Sequence, residues 1–77
     1  MKDLVVSIAQ ALVDNPEQVE VKEVTEEEGK IKYELKVATT DLGKVIGKKG
    51  RTAKAMRTLI AASAMKNGKK AMLEILE

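Results

Sequence analysis

Seventy-seven residues make one small domain with a limited core and no length for a second. The absence of cysteine and histidine removes disulfide, thiolate and imidazole chemistry, and with it most catalytic and transition-metal readings. Net charge is only +2 but unevenly spread: Leu42 to Leu73 holds nine basic residues and no acid, and the remainder holds five basic residues and twelve acids, which points to a polyanionic partner such as a nucleic acid.

Leu4, Val5, Ile8, Ala9, Leu12 and Val13 recur at helical spacing until Asp14, Asn15 and Pro16 stop the pattern. Lys2 is the only cation of this first helix and it has no aromatic anchor, so its apolar stripe suits a sheet better than a membrane surface. No apolar stretch approaches the length of a membrane span, and the N-terminus lacks the pattern of a signal peptide, so a cytoplasmic location is expected.

Val19, Val21 and, after a slip, Val24 alternate with Glu20, Lys22 and Glu23 in a half-buried strand. Glu26, Glu27, Glu28 and Gly29 read as a polar hairpin tip, without the spaced oxygen ligands of a calcium loop. From Lys30 to Ala38 the alternation is strict. Ile31, Tyr33, Leu35 and Val37 share one face, and Lys32, Glu34 and Lys36 share the other. Tyr33, the only aromatic residue, lies on the apolar face and is expected in the core. Thr40 or Asp41 is a plausible N-cap for a short helix ending at Gly47.

The segment VIGKKGRTAKAMRTLI, residues 45 to 60, carries the functional signal. Gly47 and Gly50 bracket Lys48 and Lys49, so the chain can turn sharply and a sugar-phosphate backbone can approach its N–H groups. A helix from about Arg51 to Lys66 directs its partly positive N-terminus at whatever the loop holds, which favours an anion. Asn67-Gly68 ends that helix, and Ala71, Leu73 and Ile75 alternate through a closing strand. The expected order is α-β-β-α-α-β, an α+β fold with a three-stranded sheet packed on helices.

A Walker A loop needs four residues between its first Gly and the Gly-Lys pair, whereas Gly43 and Gly47 are separated by three and Lys48 is followed by Lys49. No paired-carboxylate, Ser-His or zinc-ligand constellation is present, so no catalysis, metal or cofactor is expected.

A Gly-x-x-Gly loop leading into a helix is how KH domains grip about four nucleotides of single-stranded nucleic acid. With a helix and two strands before the loop and one strand after it, residues 1–77 resemble a single type II KH domain. Val45-Ile46 ahead of the loop, Arg51-Thr52 behind it and Arg57-Thr58 further on resemble, more narrowly, the small bacterial KH proteins of the KhpA (YlqC) family. Ala53 departs from that pattern, where a bulkier aliphatic is usual, and should thin the local core without touching the clamp. The resemblance implies a cytoplasmic RNA-binding protein that forms a homodimer and a heterodimer with a larger KhpB/Jag-type KH protein. It also implies a post-transcriptional regulator or RNA chaperone linked to cell division and elongation.

On this reading the Gly47–Gly50 loop holds the RNA backbone, Lys48, Lys49, Arg51 and Lys54 screen phosphates, and Arg57 reaches the next phosphate. Bases would lie over a groove formed by Val45, Ile46 and the edge of the strand holding Leu35 and Val37. Without aromatic stacking, worth roughly 1–3 kcal/mol per base elsewhere, one domain should bind weakly, and a dimer would offset that through effective concentration. Two alternatives are single-stranded DNA in the same clamp and a module used chiefly for protein interaction. In the long helix Ala53, Met56, Ile60 and Ala64 form a core stripe at 100° per residue. Ala55, Leu59 and Ala62 form a second stripe, the expected dimer seam with Leu59 as its anchor.

Overall fold

The computed structural model describes residues 1–77. Helix α1 spans Lys2–Leu12 and buries Val5 and Ala9, one turn apart on one face. A 3₁₀ turn over Pro16–Gln18, with proline at its start, redirects the chain into β1, Glu20–Glu27. Strand β2, Lys30–Lys36, follows after a turn of only two residues. Glu26 and Glu27 therefore belong to the strand rather than to the hairpin tip. A register irregularity between Thr25 and Glu27 lets the two strands stay paired that far.

Helix α2 is short, Leu42–Ile46, and α3 runs over Arg51–Lys66 before β3, Lys70–Ile75. The sheet order is β1-β2-β3, antiparallel between β1 and β2 and parallel between β2 and β3. A parallel pair cannot be joined by a hairpin, so α2 and α3 form the crossover between β2 and β3.

Register decides which side chains share a face. Val21, Leu35 and Ile75 stand in one row and Glu23, Tyr33 and Leu73 in the next, on the side of the helices. Val24 stands with Lys32 and Met72 on the opposite side, so the slip read near the end of the first strand moves Val24 out of the core. That outer face is charged: Lys32 lies 3.5 Å from Glu34 and 3.4 Å from Glu74. The hydrogen bond to Glu74, with the surrounding carboxylates, raises the Lys32 pKa despite some desolvation.

The core joins Val5 and Ala9 of α1, Tyr33 and Leu35 of β2, Val37, Val45 of α2, Met56 and Ile60 of α3, and Leu73 of β3. Each fully buried large aliphatic there contributes about 1.5–3 kcal/mol relative to exposure. Tyr33 is a core residue, and its hydroxyl donates to Glu23 Oε1 at 2.9 Å. Burial, and then that hydrogen bond, push its pKa up to about 12. Ala53 is buried as well, so the small residue at that position faces the core rather than the loop. No helix is long and apolar enough to cross a membrane, and no group of three or more acidic side chains is placed to hold a metal ion.

Candidate nucleic-acid interface

The loop is positioned from below by a carboxylate. Asp41 precedes α2 at its N-cap position, yet its side chain makes no capping bond. It turns instead toward the end of α1, accepting from the backbone N–H of Asp14 at 3.2 Å and from Asn15 N and Nδ2 at 3.0 Å each. Burial alone would raise the Asp41 pKa; these hydrogen bonds and the charge of Lys44 outweigh it and hold the pKa below 3.8. Lys44 closes the corner by pairing with the Asp14 carboxylate, chiefly a hydrogen bond, which raises the Lys44 pKa. A polar network centred on one buried carboxylate fixes the orientation of α2, and so of the loop that follows it.

Gly47 ends α2 with φ +77° and ψ 172°, its N–H donating to Gly43 O at 2.8 Å. Lys49 (φ 58°, ψ 26°) and Gly50 (φ 73°, ψ 12°) are both left-handed, and the chain then enters α3. The Gly50 N–H donates to Gly47 O at 3.1 Å, and the Arg51 N–H donates to Lys48 O. Three N–H groups of the turn are thus spent on the turn itself. Those of Lys48 and Lys49 have no backbone acceptor, which narrows the expectation that the whole loop offers its N–H groups to a phosphate. A left-handed lysine costs of order 1–3 kcal/mol, and such strain concentrates at ligand clamps.

The two glycines differ in kind. A Cβ on Gly47 would lie 2.1 Å from Thr52 Oγ1 and 2.6 Å from Thr52 Cβ, so the turn is folded directly onto the first residues of α3. A Cβ on Gly50 would meet nothing within 4 Å, and only its positive φ calls for glycine.

Lys48, Lys49, Arg51 and Lys54 are all exposed around this turn, and no carboxylate pairs with any of them. Arg57 is placed differently: its Nε donates to the Leu73 carbonyl at 3.3 Å, which lays the guanidinium along β3. Lys70 and Leu76 donate their N–H groups to Gly29 and Leu35, so the alternate residues Ala71, Leu73 and Ile75 direct theirs outward along a free edge.

The expected base groove requires correction. Val45, Leu35 and Val37 are buried and cannot line a surface, while Ile46 is half-buried beside the loop. The reason is strand order: β2 is central, hydrogen-bonded on both sides, and the edge beside α3 belongs to β3. Sequence reasoning also missed the Asp41 anchor and the packing of Thr52 under Gly47. The Arg51-Thr52 pair was the only signal for the latter.

On α3, Ala53, Met56, Ile60 and Ala64 are buried, whereas Ala55, Leu59 and Ala62 are exposed, Leu59 by 55%.

A family model described as KhpA/KhpB, KH domain, matches residues 2–75. The chain is 57% identical over 76 residues to the RNA-binding protein KhpA of Clostridium perfringens, covering 99% of this chain and all of that protein. It is 55% identical over the same shares to its counterpart in Clostridium acetobutylicum, and 48% identical to that of Listeria monocytogenes over the full length of both. With the type II order of elements, the glycine-bracketed lysine turn and this similarity along its whole length, the chain belongs to the KhpA/KhpB family of KH domains.

Proposed function

We propose that this protein binds single-stranded RNA, gripping the backbone with the turn from Gly47 to Gly50. The carrying observation is the pair of unpartnered N–H groups at Lys48 and Lys49, within a ring of unpaired cations and at the start of a 16-residue helix. Lys48, Lys49, Arg51 and Lys54 screen the phosphates. Ile46 flanks the bases, Val45 supports it from the core, and Arg57 presents its remaining donors at the β3 edge. RNA is preferred to DNA because the relatives carry the name RNA-binding protein. A cytoplasmic role in post-transcriptional regulation or as an RNA chaperone linked to cell division and elongation accords with the family resemblance.

The exposed stripe of Ala55, Leu59 and Ala62 supports association through α3, with a second copy or with a larger KhpB/Jag-type KH protein. An aliphatic anchor between alanines lets two helices approach closely. The test is binding of one single-stranded sequence, as RNA and as DNA, by the native chain and by Lys48→Asp with Lys49→Asp. The reading expects RNA to bind more tightly and the double variant to lose binding with an unchanged fold. Retention of RNA by the double variant at low salt overturns it.

A further inference from the structure

A second feature lies on the flank of α3 that carries Lys54, toward the far end of the helix. A groove of about 550 Å³ opens between the C-terminal half of α3 and the start of β3, floored by Ile31, Ala61 and Ala71. Met65 and Met72 stand at its mouth, 73% and 57% exposed, the two most exposed large apolar side chains of the molecule. At 100° per residue Lys54, Ala61 and Met65 fall within about 40° of one another, and at 1.5 Å per residue Met65 lies about 16 Å along the helix from Lys54. Arg57, between them, leans to the same side through Leu73.

Resting on the clamp reading, we infer that this groove is a second nucleotide subsite, which takes a base of the same RNA strand about 16 Å beyond Lys54. Three observations favour RNA over a protein segment. A peptide adding to the β3 edge needs the Leu73 carbonyl, and Arg57 already occupies it. The start of β3 brings Lys70 into the groove lining, and Lys66 and Lys69 adjoin that lining along the chain, all three exposed and none paired to a carboxylate. On the hairpin wall, Lys30 lies 3.7 Å from Glu27 and offsets one of the two acids there. Finally, the only aromatic residue is buried, so contacts to bases must use other groups, and thioethers make favourable contacts with aromatic rings.

The measurement is affinity for one homopolymeric single-stranded RNA at four, six, eight and ten nucleotides, with ε-methyl NMR of the methionines. In the native chain affinity rises about tenfold between four and eight nucleotides, and the Met65 and Met72 signals move with the eight-mer only. The buried Met56 stays in place as a control. Met65→Ser with Met72→Ser removes the length gain and leaves four-nucleotide binding unchanged. Lys66→Ser with Lys70→Ser lowers the extra salt dependence of the eight-mer, about 0.7 per lost phosphate contact. A length gain that survives both pairs of substitutions, as when one strand bridges two clamps of a dimer, overturns the inference. So does a native chain whose affinity ignores length, or methionine signals that do not move. Failure of the clamp reading looks different, because Lys48→Asp with Lys49→Asp would then still bind the four-mer.

Discussion

Asp41 and Asn15 are joined by two hydrogen bonds of 3.0 Å, one from the Asn15 backbone N–H and one from its side-chain amide, across 26 residues of chain. The pair fastens the end of α1 to the start of α2. Asp41→Ala would leave those donors without their acceptor in a part-buried corner and should lower Tm by roughly 5–15 °C. The sign of the acid response follows from the depressed pKa: the carboxylate's contribution is complete above 3.8 and is lost as pH falls below that value toward the folded-state pKa. Thermal melts from pH 6 to pH 2 should show a steeper acid loss in the native chain than in Asp41→Asn. Parallel curves would remove the network from the account of acid stability.

The glycines of the turn should respond unequally. Gly47→Ala drives a methyl into Thr52 and should abolish RNA binding together with the native loop, whereas Gly50→Asn keeps a residue tolerant of left-handed backbone and should cost about 1 kcal/mol or less. Lys49→Gly relieves a strained lysine, so it should raise stability by about 1 kcal/mol while weakening RNA binding through the lost charge. Urea melts combined with RNA titrations read all three. Gly47→Ala tolerated as well as Gly50→Asn would contradict the geometry.

Five cations surround the proposed backbone path: Lys48, Lys49, Arg51, Lys54 and Arg57. With three to five phosphate contacts at about 0.7 each, log affinity for a short single strand should fall against log salt with a slope between about −2 and −4. Arg57→Gln should reduce that slope by less than Lys48→Gln, because the Arg57 guanidinium is shared with the Leu73 carbonyl. A slope near zero would place affinity in apolar contacts and not in the clamp.

Leu59 is more than half exposed in the single chain, so Leu59→Asp should leave the fold intact. In a dimer built on Ala55, Leu59 and Ala62 the same change buries a charge, which costs several kcal/mol unless the interface opens. Light scattering should therefore report a folded monomer. A dimer unchanged by the substitution would move the seam to another surface.

The local chemistry of this protein is legible in its sequence. The stripe of Ala53, Met56, Ile60 and Ala64, the strict alternation through Tyr33 and Leu35, and the stop at Asn67-Gly68 follow from periodicity and backbone preference, which act over a few residues. The lysines between two glycines are legible for the same reason. Relationships between distant segments are not. Composition could not show that β2 is the central strand, because its pairing with β3 is set by a crossover more than thirty residues long; the groove placed over Leu35 and Val37 was lost for that reason. Nor could it show that Asp41 would leave the helix it precedes, since the competing donors sit on Asn15. Tertiary packing also decided that most N–H groups of the turn serve the turn, that Arg57 bends to Leu73, and that Met65 and Met72 stand open on one flank. Those outcomes depend on which segments meet, and a pattern read along one chain carries no term for that meeting.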